Sequence, residues 1–139
     1  MEFNVMLADV PDRNGCVYTK SALQKAIKEA QDRAMLYNVS PPLLIHEATA
    51  MDVFEGISLS KIAGVCERIY FDQNDNCVKA DIHFAGKNGE LLKDMINQNV
   101  SFGVSTTMVE DHIHSFYINP MKQNQKFVSD FDDGLEEEF

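Results

Sequence analysis

The sequence predicts an α+β fold, a mostly antiparallel sheet or small β-barrel core carrying two to three helices. Three observations lead there. Short apolar segments of strand length outnumber those with helical period. Several of the strand candidates are joined by brief turn sequences, which pair neighbours locally and antiparallel. A chain of 139 residues, 45% hydrophobic with only 7 Gly and 4 Pro, fills the core of one domain.

The elements follow in order. Phe3 to Ala8 reads as a short buried strand, closed by the turn-forming stretch Asp9-Val10-Pro11-Asp12-Arg13-Asn14-Gly15. Thr19 or Ser21 then caps a helix in which Leu23, Ala26, Ile27, Ala30 and Ala34 share one face, ending near Tyr37-Asn38. Pro41 and Pro42 forbid further helix and extend the backbone into Leu43-Leu44-Ile45, a core strand with His46 at its end. After a loop containing Gly56, a long strand runs from Ser58 to Phe71, with a bend or bulge at Gly64. The turn Asp72-Gln73-Asn74-Asp75-Asn76 leads into the cleanly alternating strand Val78 to Phe84, completing a hairpin with His83 on its solvent side. Asn88-Gly89 opens a second helix with Leu91, Leu92, Met95 and Ile96 as its apolar face. Val100 to Met108 and Ile113 to Ile118 are the last strands. Residues 1–120 thus form the domain and 121–139 a polar, then acidic, solvated tail.

Charge and cysteine usage narrow the function. With 12 basic against 22 acidic residues, a net charge of -10 and no basic stripe, the chain is not a nucleic-acid binder. No long apolar run marks a signal peptide or a membrane span, so a cytoplasmic protein is expected. Cys16, Cys66 and Cys77 match no zinc or redox spacing and are expected as reduced thiols, and the four histidines include no His-x-x-x-His pair. No metal or other cofactor is implied.

Few side chains suit nucleophilic chemistry. His46 ends an apolar strand and Ser105 lies within one, and a Ser-His pair needs the imidazole within reach of the hydroxyl to take its proton. Residues 59 positions apart are joined readily by a sheet. Taken alone, the two read as a hydrogen-bonded core or loop histidine and a small polar strand residue.

The order of the motifs adds to this reading. Asp12-Arg13-Asn14-Gly15-Cys16-Val17-Tyr18, the helix at Leu23 to Ala26, the strand Leu43-Leu44-Ile45-His46-Glu47, the hairpin from Ser60 to Phe84, the helix Gly89-Glu90-Leu91-Leu92-Lys93-Asp94-Met95-Ile96 and Gly103-Val104-Ser105 together resemble the prohead proteases of tailed bacteriophages, relatives of herpesvirus assemblin. The resemblance spans roughly residues 3 to 118. It implies a herpesvirus-protease-like fold and a serine endopeptidase with His46 as base and Ser105 as nucleophile. Ser101 competes for the second role, because Val100-Ser101-Phe102-Gly103 also resembles a family variant; the spacing from Gly89 favours Ser105. For the residue that orients the base, the resemblance calls for a carboxylate or a second histidine, and His114 is the candidate, with His112, Glu110 and Asp111 beside it. Thr106-Thr107-Met108 departs from the Ser-Arg-Gly that often follows the nucleophile in relatives.

The same resemblance implies scaffold and capsid proteins as substrates, action in the host cytoplasm inside an immature head, and a homo-oligomer. Leu135-Glu136-Glu137 resembles a cleavage sequence of such enzymes. The alternatives are a non-catalytic structural or scaffold protein on the same fold, and a small acidic adaptor for a basic partner.

Overall fold

A computed structural model of the chain describes residues 1–12, 15–110 and 112–120. The acidic segment with Leu135-Glu136-Glu137 lies outside them, as do Arg13, Asn14 and Asp111. Among the described residues six strands, three helices and one 3-10 turn make a nearly closed mixed barrel, an α+β fold as the sequence predicts.

Strand β1 (Glu2–Leu7) leads to helix α1 (Lys20–Tyr37). Thr19 caps α1, its hydroxyl accepting the Ala22 N–H at 3.1 Å, and Asn38 stops it at a left-handed φ of 55°. Leu23, Ala26, Ile27 and Ala30 are buried one helical period apart, so α1 lays its apolar stripe on the core. Strand β2 (Pro42–Leu44) begins at the second proline, and Leu43 and Leu44 are completely covered.

A short helix α2 (Ala50–Glu55) follows, which the hydrophobic pattern does not announce. Its side chains face solvent at Met51 and Phe54, and Asp52 is its buried residue. The signal present was the capping box: Thr49 Oγ1 accepts the Asp52 N–H, and the Asp52 carboxylate accepts the Thr49 N–H at 2.8 Å. Ser58 then caps the 3-10 turn Leu59–Lys61, so strand β3 (Ile62–Asp72) starts four residues later than the sequence predicts.

β3 pairs with β4 (Cys77–Phe84) through the expected turn, where Asp72 accepts the N–H groups of Asn74 and Asp75. β3 carries two irregularities: Glu67 is the extra residue in its pairing with β4, and Ala63, next to Gly64, is the extra residue in its pairing with β2. Gly64 is there for closeness: a Cβ on it would run into the His83 carbonyl of β4. His83 itself is exposed, as its alternation requires.

Helix α3 (Gly86–Asn97) begins before the Asn88-Gly89 pair and seats Gly89 directly on the sheet backbone. β5 (Phe102–Val109) and β6 (His112–Pro120) complete the sheet in the order β1-β4-β3-β2-β6-β5. All pairs are antiparallel except β2 with β6, which run parallel. The edges β1 and β5 approach across the core, where the Phe3 and Phe102 rings stack at 6.1 Å and Phe84 packs edge-on to both. That seam makes the sheet nearly a barrel.

Candidate active site

Strand alternation decides which way each candidate points. Phe102 and Val104 of β5 and Phe116 of β6 face the hydrophobic core. Ser105 therefore faces outward, half-buried on the opposite side of the strand. The pairing sets Ser105 opposite Tyr117 of β6, and Tyr117 in turn beside Leu44 of β2, so the three form a row across the sheet.

Adjacent strands stand about 4.8 Å apart, which separates the β2 and β5 backbones by about 10 Å at this row. Because β2 and β6 run parallel, the residues two further along them, His46 and Asn119, leave at the same end of the sheet. Asn119 is 6% exposed, and its Nδ2 donates to Ser105 Oγ at 3.0 Å. The nucleophile candidate is therefore held by a neighbour on the strand that separates it from the base candidate.

His46 is exposed, and its Nδ1 lies 3.2 Å from the Glu47 carbonyl oxygen. A carbonyl only accepts, so the neutral ring making this bond carries its proton on Nδ1 and leaves the Nε2 lone pair available. Among the described residues no hydrogen bond joins His46 to Ser105; the ring must swing toward β6 to meet the hydroxyl. Its loop is anchored on either side of it. The Ile45 N–H donates to the Lys61 carbonyl at 3.0 Å, while the Lys61 ammonium grips both oxygens of Asp52 on α2 at 2.8 and 3.1 Å. The hydrogen bond from Lys61, aided by the Thr49 N–H, lowers the Asp52 carboxyl to about 2.

Among the described residues His114 hydrogen-bonds to neither His46 nor Ser105. It is the extra residue of a bulge in β6, where the register shifts between the Thr107–Ser115 and Met108–Ile113 pairs, and its Nδ1 meets Ser115 Oγ at 3.0 Å. Burial holds its ring below the usual imidazole value, His112 adds to this, and Asp52 opposes it. Ser101 is exposed and precedes β5, so it does not share a strand face with Ser105; it borders a cleft with Met1, Phe3 and Phe102 at the barrel seam. Asn119 was not among the sequence candidates.

Among the described residues no cluster of three or more His, Cys, Asp or Glu could hold a metal ion, and no helix is long and apolar enough to cross a membrane. Cys16, Cys66 and Cys77 are free thiols.

No protein-family model and no curated protein matches the chain. Among solved structures it is similar to the bacteriophage T4 capsid assembly protease gp21, with a TM-score of 0.59 and 20% identity over 86% of this chain and 77% of that one. The likeness is one of fold.

Proposed function

We propose that the chain is a serine endopeptidase that cuts capsid or scaffold precursors during phage head assembly, with Ser105 as nucleophile and His46 as base. The observation that carries this reading is the convergence of the ends of β2 and β6 beside an outward-facing serine already hydrogen-bonded to Asn119. The fold shared with a capsid assembly protease supports this choice of substrate class.

In this mechanism His46 turns from its resting contact toward β6, and Nε2 accepts the Ser105 proton as Oγ bonds to the scissile carbonyl carbon. The Glu47 carbonyl, acting on Nδ1, keeps the ring in the right tautomer. The C–N bond breaks as the amine takes the proton from Nε2; water, deprotonated by the same nitrogen, then attacks the acyl carbon, and Nε2 gives that proton to Ser105 Oγ as the ester bond breaks. Backbone N–H groups serve the oxyanion, replacing the arginine that Thr106-Thr107-Met108 lacks. The enzyme works as a homo-oligomer inside the immature head in the host cytoplasm, on protein substrates and away from nucleic acid.

One observation favours a second reading, a non-catalytic assembly protein on the same barrel: His46 bonds to the Glu47 carbonyl and not to Ser105. Co-expression with the neighbouring scaffold and capsid proteins decides between them. Mass spectrometry is expected to show cleavage by the wild type and by Ser101→Ala, and none by Ser105→Ala or His46→Ala. Intact precursors in assembled shells containing the wild type would refute the protease.

A further inference from the structure

Ser105 Oγ has one proton to give and two lone pairs to offer, whereas the Asn119 amide nitrogen can only donate. The contact at 3.0 Å therefore fixes the direction of the bond: Asn119 gives and Ser105 receives. The serine proton is left for another acceptor. Asn119 reaches Ser105 on the diagonal, because its directly paired residue on β5 is Gly103, which puts no side chain on that face. Neighbouring side chains cover Asn119 almost fully, so water competes little for its N–H.

From this arrangement we infer that Asn119 is a further catalytic residue, which orients the Ser105 hydroxyl and stabilises the negative charge that gathers on Oγ. The inference rests on the protease reading. Charge builds on Oγ twice, once as the proton leaves during attack and again when Oγ departs from the acyl-enzyme carbon. A buried N–H donor beside it favours both moments, and a hydrogen bond to a charged group is stronger than one to a neutral hydroxyl. Asn119 also keeps the serine proton off itself, so that the proton remains available to a base.

Replacing the donor with an acceptor separates this role from mere packing. In Asn119→Asp the ionised carboxylate takes the serine proton for itself and repels a developing alkoxide. Once protonated, the same side chain donates again. The substitution is nearly isosteric, so the fold survives it, whereas Asn119→Ala leaves a hole.

The test is the rate at which a fluorophosphonate probe labels Ser105 across a pH series, read by intact mass, with Ser105→Ala as the unlabelled control. Asn119→Ala is expected to slow labelling about 10- to 100-fold, the range for losing one hydrogen bond to a charged group. Asn119→Asp is expected to be slower still at neutral pH, with its rate relative to wild type rising as the pH falls. Labelling of Asn119→Asp at wild-type rate, or a ratio that stays flat with pH, would overturn the inference while leaving the protease intact. A wild type that labels no faster than Ser105→Ala overturns the protease reading and this inference with it.

Discussion

Gly89→Ala sets two opposed effects against each other in one residue. Helix propensity alone argues for stabilisation, since alanine inside a helix is worth about 1 kcal/mol over glycine. The seat of α3 argues the other way. A Cβ at position 89 would lie 2.7 Å from the Ala63 carbonyl oxygen and 2.9 Å from the Phe84 carbonyl carbon. Comfortable contacts between such atoms begin near about 3.5 Å, so the helix has to retreat by over half an ångström. Both obstacles are backbone, and no rotamer relieves them. Retreat also loosens Leu92 and Ile96 from the core they pack against. Overpacking of this kind costs about 1–3 kcal/mol, and with two backbone clashes the upper end applies, so a net loss of about 2 kcal/mol remains after the propensity gain. Urea denaturation at unchanged m-value measures it. Gly86→Ala is the control, because it meets nothing within 4 Å and carries only the strain of its φ of 75°. If Gly89→Ala proves as stable as the wild type or more so, α3 does not rest directly on the sheet backbone and the argument fails.

Two further outcomes follow from titrating groups. Asp52 is depressed in the folded state, so its contribution is present above the carboxyl value of an unfolded chain, near 3.8, and is lost as the pH falls through about 2. The stability gap between wild type and Asp52→Asn should therefore be widest at neutral pH and close between these values; a gap that does not change with pH would show that Lys61 does not hold the ionised carboxylate. Burial raises the Cys66 and Cys77 thiols to about 11, whereas Cys16 is exposed. A maleimide is expected to modify one thiol rapidly, identified as Cys16 by peptide mass, with the other two reacting only on unfolding; early modification of Cys66 or Cys77 would contradict the packing.

The parts of the fold legible from sequence are those specified locally. Thr19, the period of Leu23, Ile27 and Ala30, and Asn38 define α1 from within itself. The Asp72 to Asn76 turn likewise defines the β3–β4 hairpin. α2 escaped because it buries Asp52 and exposes Met51 and Phe54, the reverse of the pattern on which periodicity depends. The parallel neighbours β2 and β6 lie some seventy residues apart, and no turn between them announces the pairing.

Asn119 was hidden by one residue. Counting back from the β5–β6 turn with the register of the Met108–Ile113 pair brings Phe116 opposite Ser105. The bulge at His114 shifts the count by one, so that Tyr117 and Asn119 come round to the face of Ser105 while Phe116 stays in the core. His46 and Ser105 were candidates by residue type and strand position before the resemblance favoured them, but how they are related in space depends on that single inserted residue.

The place of β6 also sets the order in which the molecule becomes whole. Although last among the described strands, it is the strand between β2 and β5, and it links the His46 segment to Ser105. During synthesis both earlier strands leave the ribosome with a vacant slot between them. A nascent chain lacking residues 112–120 has a serine with no Asn119 beside it and a histidine with no strand to turn toward. Chain growth itself thus acts as a clock, withholding the row that relates His46, Asn119 and Ser105 until β6 has been made.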